Sequence, residues 1–139
     1  MERRTKMMRW LWRSSLLTGA VVVTVAGVGA PALAAVPPKN VGWLYVQGGG
    51  GAAFFDADLA GHPGWEKITV CDNVANSRGV GVHVYGDLGQ EEGVSDPSSN
   101  GKCVSKEGNM FPDGYGVSVH VFEYADDLGS NYNDARGVA

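Results

Sequence analysis

Two segments of this 139-residue chain alternate so regularly that they leave few folds open. Gly79-Val-Gly-Val-His-Val-Tyr85 and Gly116-Val-Ser-Val-His-Val-Phe122 carry valine at every second position. A period of two sends the valines to one face and the intervening residues to the other, which is the pattern of a half-buried β-strand. In the first segment Val80, Val82 and Val84 oppose Gly81, His83 and Tyr85. In the second, Val117, Val119 and Val121 oppose Ser118, His120, Phe122 and Tyr124. Both are followed within a few residues by Asp-Leu-Gly, at 87–89 and 127–129. A single match of this kind reads as two core strands of one sandwich, not as a duplicated half.

No part of residues 35–139 sustains a helical period, and short β-rich runs alternate with Gly, Asn, Asp and Pro. The spacing predicts strands over Val41–Gln47, Ala52–Ala57, Trp65–Asp72, Val80–Tyr85, Lys102–Glu107 and Val117–Tyr124. It predicts loops at Asp72–Gly79 and Glu91–Gly101, and an acidic, polar tail over 126–139 that frays. About six strands with a valine face imply a single antiparallel β-sandwich, immunoglobulin-like, with its body at 52–125.

The N-terminus reads as an address. Met1–Ser15 is basic and Leu16–Ala30 is an apolar run broken by Pro31. Ala32-Leu33-Ala34 then offers the small residues that a signal peptidase reads. Residues 1–34 are therefore expected to be a secretory signal cleaved between Ala34 and Ala35. A membrane span would need about twenty apolar residues, and this run holds three glycines. Export places Cys71 and Cys103, the two cysteines of the chain, in an oxidising space, which implies one disulfide between them.

Charge divides the same way. Residues 1–34 carry five basic side chains and one acidic, a net +4; residues 35–139 carry six basic and fourteen acidic, a net −8. That balance excludes nucleic acid as a partner, because phosphate binding needs a cationic footprint. It also excludes docking on anionic lipid after the signal is removed.

The residues offer little for catalysis. His83 and His120 fall at equivalent places on two strands and could face each other, which is half of a metal site. Glu123 lies on the opposite face of its strand, and His62 sits in a turn, so the bland reading of exposed histidines among aromatics is preferred. The serines lie in loops without a Gly-x-Ser-x-Gly elbow. Glu91-Glu92 and Asp126-Asp127 are adjacent pairs of the kind found on solvated loops. Asp126, Asp127, Asn131, Asn133 and Asp134 are hard oxygen ligands, but their spacing matches no EF-hand loop. The expectation is a protein that is not an enzyme and carries no cofactor and no metal.

Residues 35–51 stand apart. Pro37-Pro38 keeps their start extended, Val41–Val46 is apolar on both faces, and four glycines follow at 48–51. Glycines are costly to order and suit a tether, and a sticky strand on a tether can add to a partner's sheet. The other reading makes this the first edge strand of the protein's own sandwich. Both stay open at this point.

Three stretches carry a resemblance: Phe55-Asp-Ala-Asp-Leu-Ala-Gly61, Glu66-Lys-Ile-Thr-Val-Cys-Asp72 and Asp96-Pro-Ser-Ser-Asn-Gly-Lys-Cys103. They resemble small secreted β-sandwich proteins of filamentous actinobacteria, some of which look like the adaptor subunit of umbrella toxin particles. The resemblance spans most of residues 40–125. It implies a non-catalytic adaptor that joins a lectin subunit to a repeat-bearing toxin polypeptide, its N-terminal extension inserting into the lectin's cleft. Carried over, Trp43, Leu44, Tyr45 and Val46 would be the inserting, partner-binding residues. The expected function is thus a secreted adaptor in an extracellular antibacterial assembly. The alternative is a small ligand-binding or inhibitory module that uses the aromatics near His83, Tyr85, His120 and Phe122 on carbohydrate or a protease.

Overall fold

A computed structural model describes residues 36–126 and 128–139. The expected signal segment 1–34 and its cleavage site lie outside the described residues, as does Asp127. The described residues form eight strands and no helix: β1 (Val41–Tyr45), β2 (Gly51–Asp56), β3 (Glu66–Asp72), β4 (Gly79–Gly86), β5 (Glu91–Asp96), β6 (Val104–Gly108), β7 (Gly116–Ala125) and β8 (Leu128–Val138). They make two four-stranded sheets of order β1-β2-β3-β6 and β5-β4-β7-β8. Every pairing is antiparallel. Strands β2-β3-β6 and β5-β4-β7-β8 follow the strand order of an immunoglobulin-like Greek key, to which β1 adds one strand in front.

The valine alternation does what its period demands. Val80, Val82 and Val84 of β4 and Val117, Val119 and Val121 of β7 are fully buried. They meet Phe55, Ile68 and Val70 from the other sheet in a single core cluster. Phe111, in the connection between β6 and β7, is buried against the same cluster, its ring 6.0 Å from Phe55 in an edge-on contact. Nothing in the local pattern of residues 109–115 marks that phenylalanine as core.

The disulfide forms as expected. Cys71 is the second-to-last residue of β3 and Cys103 precedes β6, with Cα atoms 4.3 Å apart. It joins neighbouring strands of one sheet, whereas the antibody-domain disulfide bridges the two sheets.

Three expectations are corrected. The glycines at 48–51 are not a tether but a hairpin turn, closed by Val46 N–H donating to the Gly51 carbonyl at 3.1 Å. Gly48 and Gly49 take positive φ of 95° and 78°, which L side chains resist. Gly50 and Gly51 are needed for space, since a Cβ would lie 1.6 Å from Glu123 Oε1 at the first and 2.4 Å from the Cys71 carbonyl at the second. The run is therefore a packing device.

Residues 126–139 are not a frayed tail. Leu128–Val138 is the longest strand among the described residues, paired along β7, and Gly137 and Ala139 are buried. One face of β8 meets solvent and the strand is an edge, so it needs few apolar residues; Ala135 and Ala139 suffice to anchor it. Glu91–Asp96, read as the start of a loop, is strand β5 for the same reason: Glu91, Gly93 and Ser95 point outward and leave only Val94 against the core. The sandwich body thus runs from Val41 to Val138.

The candidate partner-binding strand pairs in cis. Tyr45 is opposite Ala52, Leu44 opposite Ala53 and Val41 opposite Phe55, with a bulge between Val41 and Leu44. Its outer side is stitched to β8: Lys39 and Val138 exchange both backbone hydrogen bonds, Gln47 N–H donates to Asn131 O, and Asn133 Nδ2 donates to Tyr45 O at 2.9 Å. A chain with an apolar strand and an available sheet edge completes its own sheet, because intramolecular pairing avoids the entropy loss of association. Inserting this strand elsewhere would break both rows of bonds.

Candidate binding groove

The outer face of the β5-β4-β7-β8 sheet is built in rows. Directly opposed residues of antiparallel strands project from the same face. The registers therefore align Gly93, His83, His120 and Asp134 across four strands. The next row holds Glu91, Tyr85, Ser118 and Arg136. On the other side, Ser95, Gly81 and Phe122 follow one another, with Tyr132 beside Phe122 at a ring separation of 5.7 Å. Tyr124 opposes Gly79 beyond them.

Small residues on β4 make room for rings from β7. A Cβ on Gly81 would stand 2.7 Å from the Phe122 ring, and one on Gly79 would stand 2.4 Å from the Tyr124 ring. Those rings therefore lie across bare backbone, which shields it and turns aromatic surface to solvent. The rings touch one another in tilted or edge-on geometry: His83 with Phe122 at 5.4 Å, Tyr85 with His120 at 5.4 Å, and Phe122 with Tyr124 at 6.4 Å.

The result is an open groove of about 760 Å³ lined by His83, Tyr85, His120, Phe122, Tyr124 and Tyr132 over Gly81 and Gly93. That volume falls in the usual range for a ligand site. At one end His83 Nδ1 lies 3.0 Å from the Tyr85 hydroxyl and 3.2 Å from Glu91 Oε1. Partial burial, followed by the charge of Glu91, pushes the Tyr85 phenol above its ordinary range, so it remains a neutral donor.

The expected facing of His83 and His120 is thus present, and the structure groups both with Tyr85 and Phe122. It does not assemble the metal alternatives: among the described residues, no three His, Cys, Asp or Glu side chains are placed to hold an ion. His62 stacks near Trp65 at 5.2 Å in its turn. Glu123 is buried on the inner face, accepting from Asn76 and Asn131. Asn131 and Asn133 are thereby committed to structural bonds and do not form a cation loop with Asp134.

Of the residues expected to bind a partner, Trp43 and Tyr45 stand about half exposed on the outer face of the other sheet, at 49% and 55%, with Trp43 against Phe54. Leu44 and Val46 turn inward to the core. Tyr132, Gly93 and Ser95 were not legible as groove residues. Tyr132 sits in a segment without apolar alternation, and the one local hint was a β-prone tyrosine amid asparagines.

Fold and site together define an all-β, two-sheet protein with an open aromatic groove on one outer face. No protein-family description, curated protein or solved structure matches the chain.

Proposed function

We propose that the chain is an exported, non-enzymatic binding protein that takes its ligand on the outer face of the β5-β4-β7-β8 sheet. One observation carries this reading: six ring side chains are turned to solvent over glycine backbone, while the core is filled from the opposite face. Exposed rings grouped this way add nothing to the core and offer flat surfaces for stacking. Screening glycan and peptide arrays with wild type and with Tyr132→Ala tests it. Saturable binding weakened in the variant supports the groove; ligands that bind both proteins alike count against it.

A second reading, the joining role implied by resemblance to umbrella-toxin adaptors, is favoured by the exposed Trp43 and Tyr45 beside Phe54. Apolar surfaces on opposite outer faces let one small sandwich hold two partners, here a lectin subunit and a repeat-bearing toxin polypeptide. In that reading Trp43 and Tyr45 are docked upon in place, and Leu44 and Val46 hold the strand to its own core. Pull-down from culture supernatant with Trp43→Ala and Tyr45→Ala tests it: lost capture supports docking on this face, and undiminished capture removes it.

A further inference from the structure

We infer that the ligand of the aromatic groove is cationic: an arginine-bearing segment of a partner protein whose guanidinium groups stack on the rings of Tyr85, Phe122 and Tyr132. This rests on the binding reading above and adds the chemical class of the ligand.

Charge complementarity is the first argument. Among the described residues, no lysine or arginine lines the groove. The two cations on its margins are engaged elsewhere: Arg136 donates from Nη2 to both Asp87 carboxylate oxygens and from Nη1 to Ser118, and Arg78 bonds Ser130. Carboxylates flank the floor from both edge strands, Glu91 on β5 and Asp134 on β8. Residues 35–139 carry a net −8 in total. Aromatic faces carry partial negative charge, so rings set among carboxylates attract cations, and arginine most often.

Shape is the second. The groove crosses all four strands, about 14 Å from three inter-strand spacings. One small ammonium ion would cover a fraction of that span. An extended peptide laid across the strands places alternate side chains about 7 Å apart, near the 5.7 Å between the Phe122 and Tyr132 rings. Planar guanidinium groups stack flat on such rings, whereas a lysine ammonium acts as a point charge.

The test is isothermal titration of the purified disulfide-bonded protein with a short peptide of alternating glycine and arginine. Its twin with citrulline in place of arginine keeps the shape and removes the charge. The expected result is saturable binding of the arginine peptide at about pH 7.5, weakened about tenfold or more by citrulline and by Tyr132→Ala. Tyr132→Phe, which keeps the ring, is expected to bind as wild type. Circular dichroism establishes that the variants are folded. Equal binding of the citrulline peptide overturns the cationic class but leaves the groove standing. So does a neutral oligosaccharide that binds in a Tyr132-dependent way while the arginine peptide does not. Arginine-peptide binding indifferent to Tyr132→Ala overturns the assignment to this groove.

Discussion

His83 of β4 and His120 of β7 are direct partners in an antiparallel ladder, so both imidazoles leave the sheet on the same outer face. Each packs edge-on against an aromatic ring of the other's strand, His83 on Phe122 and His120 on Tyr85. Neither lies in the core. Replacing both with glutamine is expected to change stability by no more than about 0.5 kcal/mol, as for other surface positions. Chemical denaturation checks this, and a larger loss would mean that the pair is structural.

Gly81 is buried beneath the Phe122 ring, and a side chain there is expected to displace that ring. Valine there would drive its Cβ to within 2.7 Å of the Phe122 ring, which must then rise off the sheet. We expect about 1–3 kcal/mol of destabilisation. Loss of the His83–Phe122 contact in side-chain NMR would accompany it; retention of that contact would contradict the packing argument.

Strand β1 is a structural element, and its variants should behave accordingly. Val46→Asp buries an unpaired charge in the core and is expected to cost about 3 kcal/mol or more. Asn133→Ala removes the bond to the Tyr45 carbonyl and should cost about 1 kcal/mol. Hydrogen exchange at Val46 and Gln47 should be slow. A strand held in reserve for a partner would show fast exchange and no loss of stability from either variant.

Reducing the disulfide, or replacing both cysteines with alanine, is expected to lower stability by about 3–4 kcal/mol for a loop of 32 residues. Thermal melts with and without reductant measure it. Because Cys103 immediately precedes edge strand β6, protection should be lost first over Val104–Gly108.

Glu66 should make the protein less stable as pH rises. Its side chain is fully buried, Oε2 accepts from the Met110 and Phe111 amides, and Oε1 has no partner. Burial is the largest cause raising its pKa above the ordinary 4.5. A raised folded-state value means the contribution to stability is complete below 4.5 and is lost as pH climbs through the folded value. Glu66→Gln keeps an acceptor for Met110 and has no charge to bury. Its stability relative to wild type is expected to improve between about pH 4 and pH 7. A constant difference across that range would show that Glu66 does not titrate with folding.

Much of this architecture could be read in the chain, and the parts that could not share a cause. Valines 80–84 and 117–121 each face one way for a reason contained within seven residues, and the Cys71–Cys103 pairing follows from the chain having two cysteines. Strands β5 and β8 were missed because edge strands with one solvated face carry no apolar alternation. The four glycines were misread as a tether because the space that Gly50 and Gly51 leave is filled by Glu123 and Val80, distant in sequence.

The amino-acid order alone determined the β class, the inward valine faces, the disulfide and the outward direction of His83, Tyr85, His120 and Phe122. Only the tertiary structure decided that β1 closes its own sheet and that Tyr132 joins those four rings. Periodicity is a property of neighbouring residues, but which strand lies beside which is set by contacts between residues far apart in the chain. Trp43 and Tyr132 acquired their surroundings from β2 and β7, which no local pattern names.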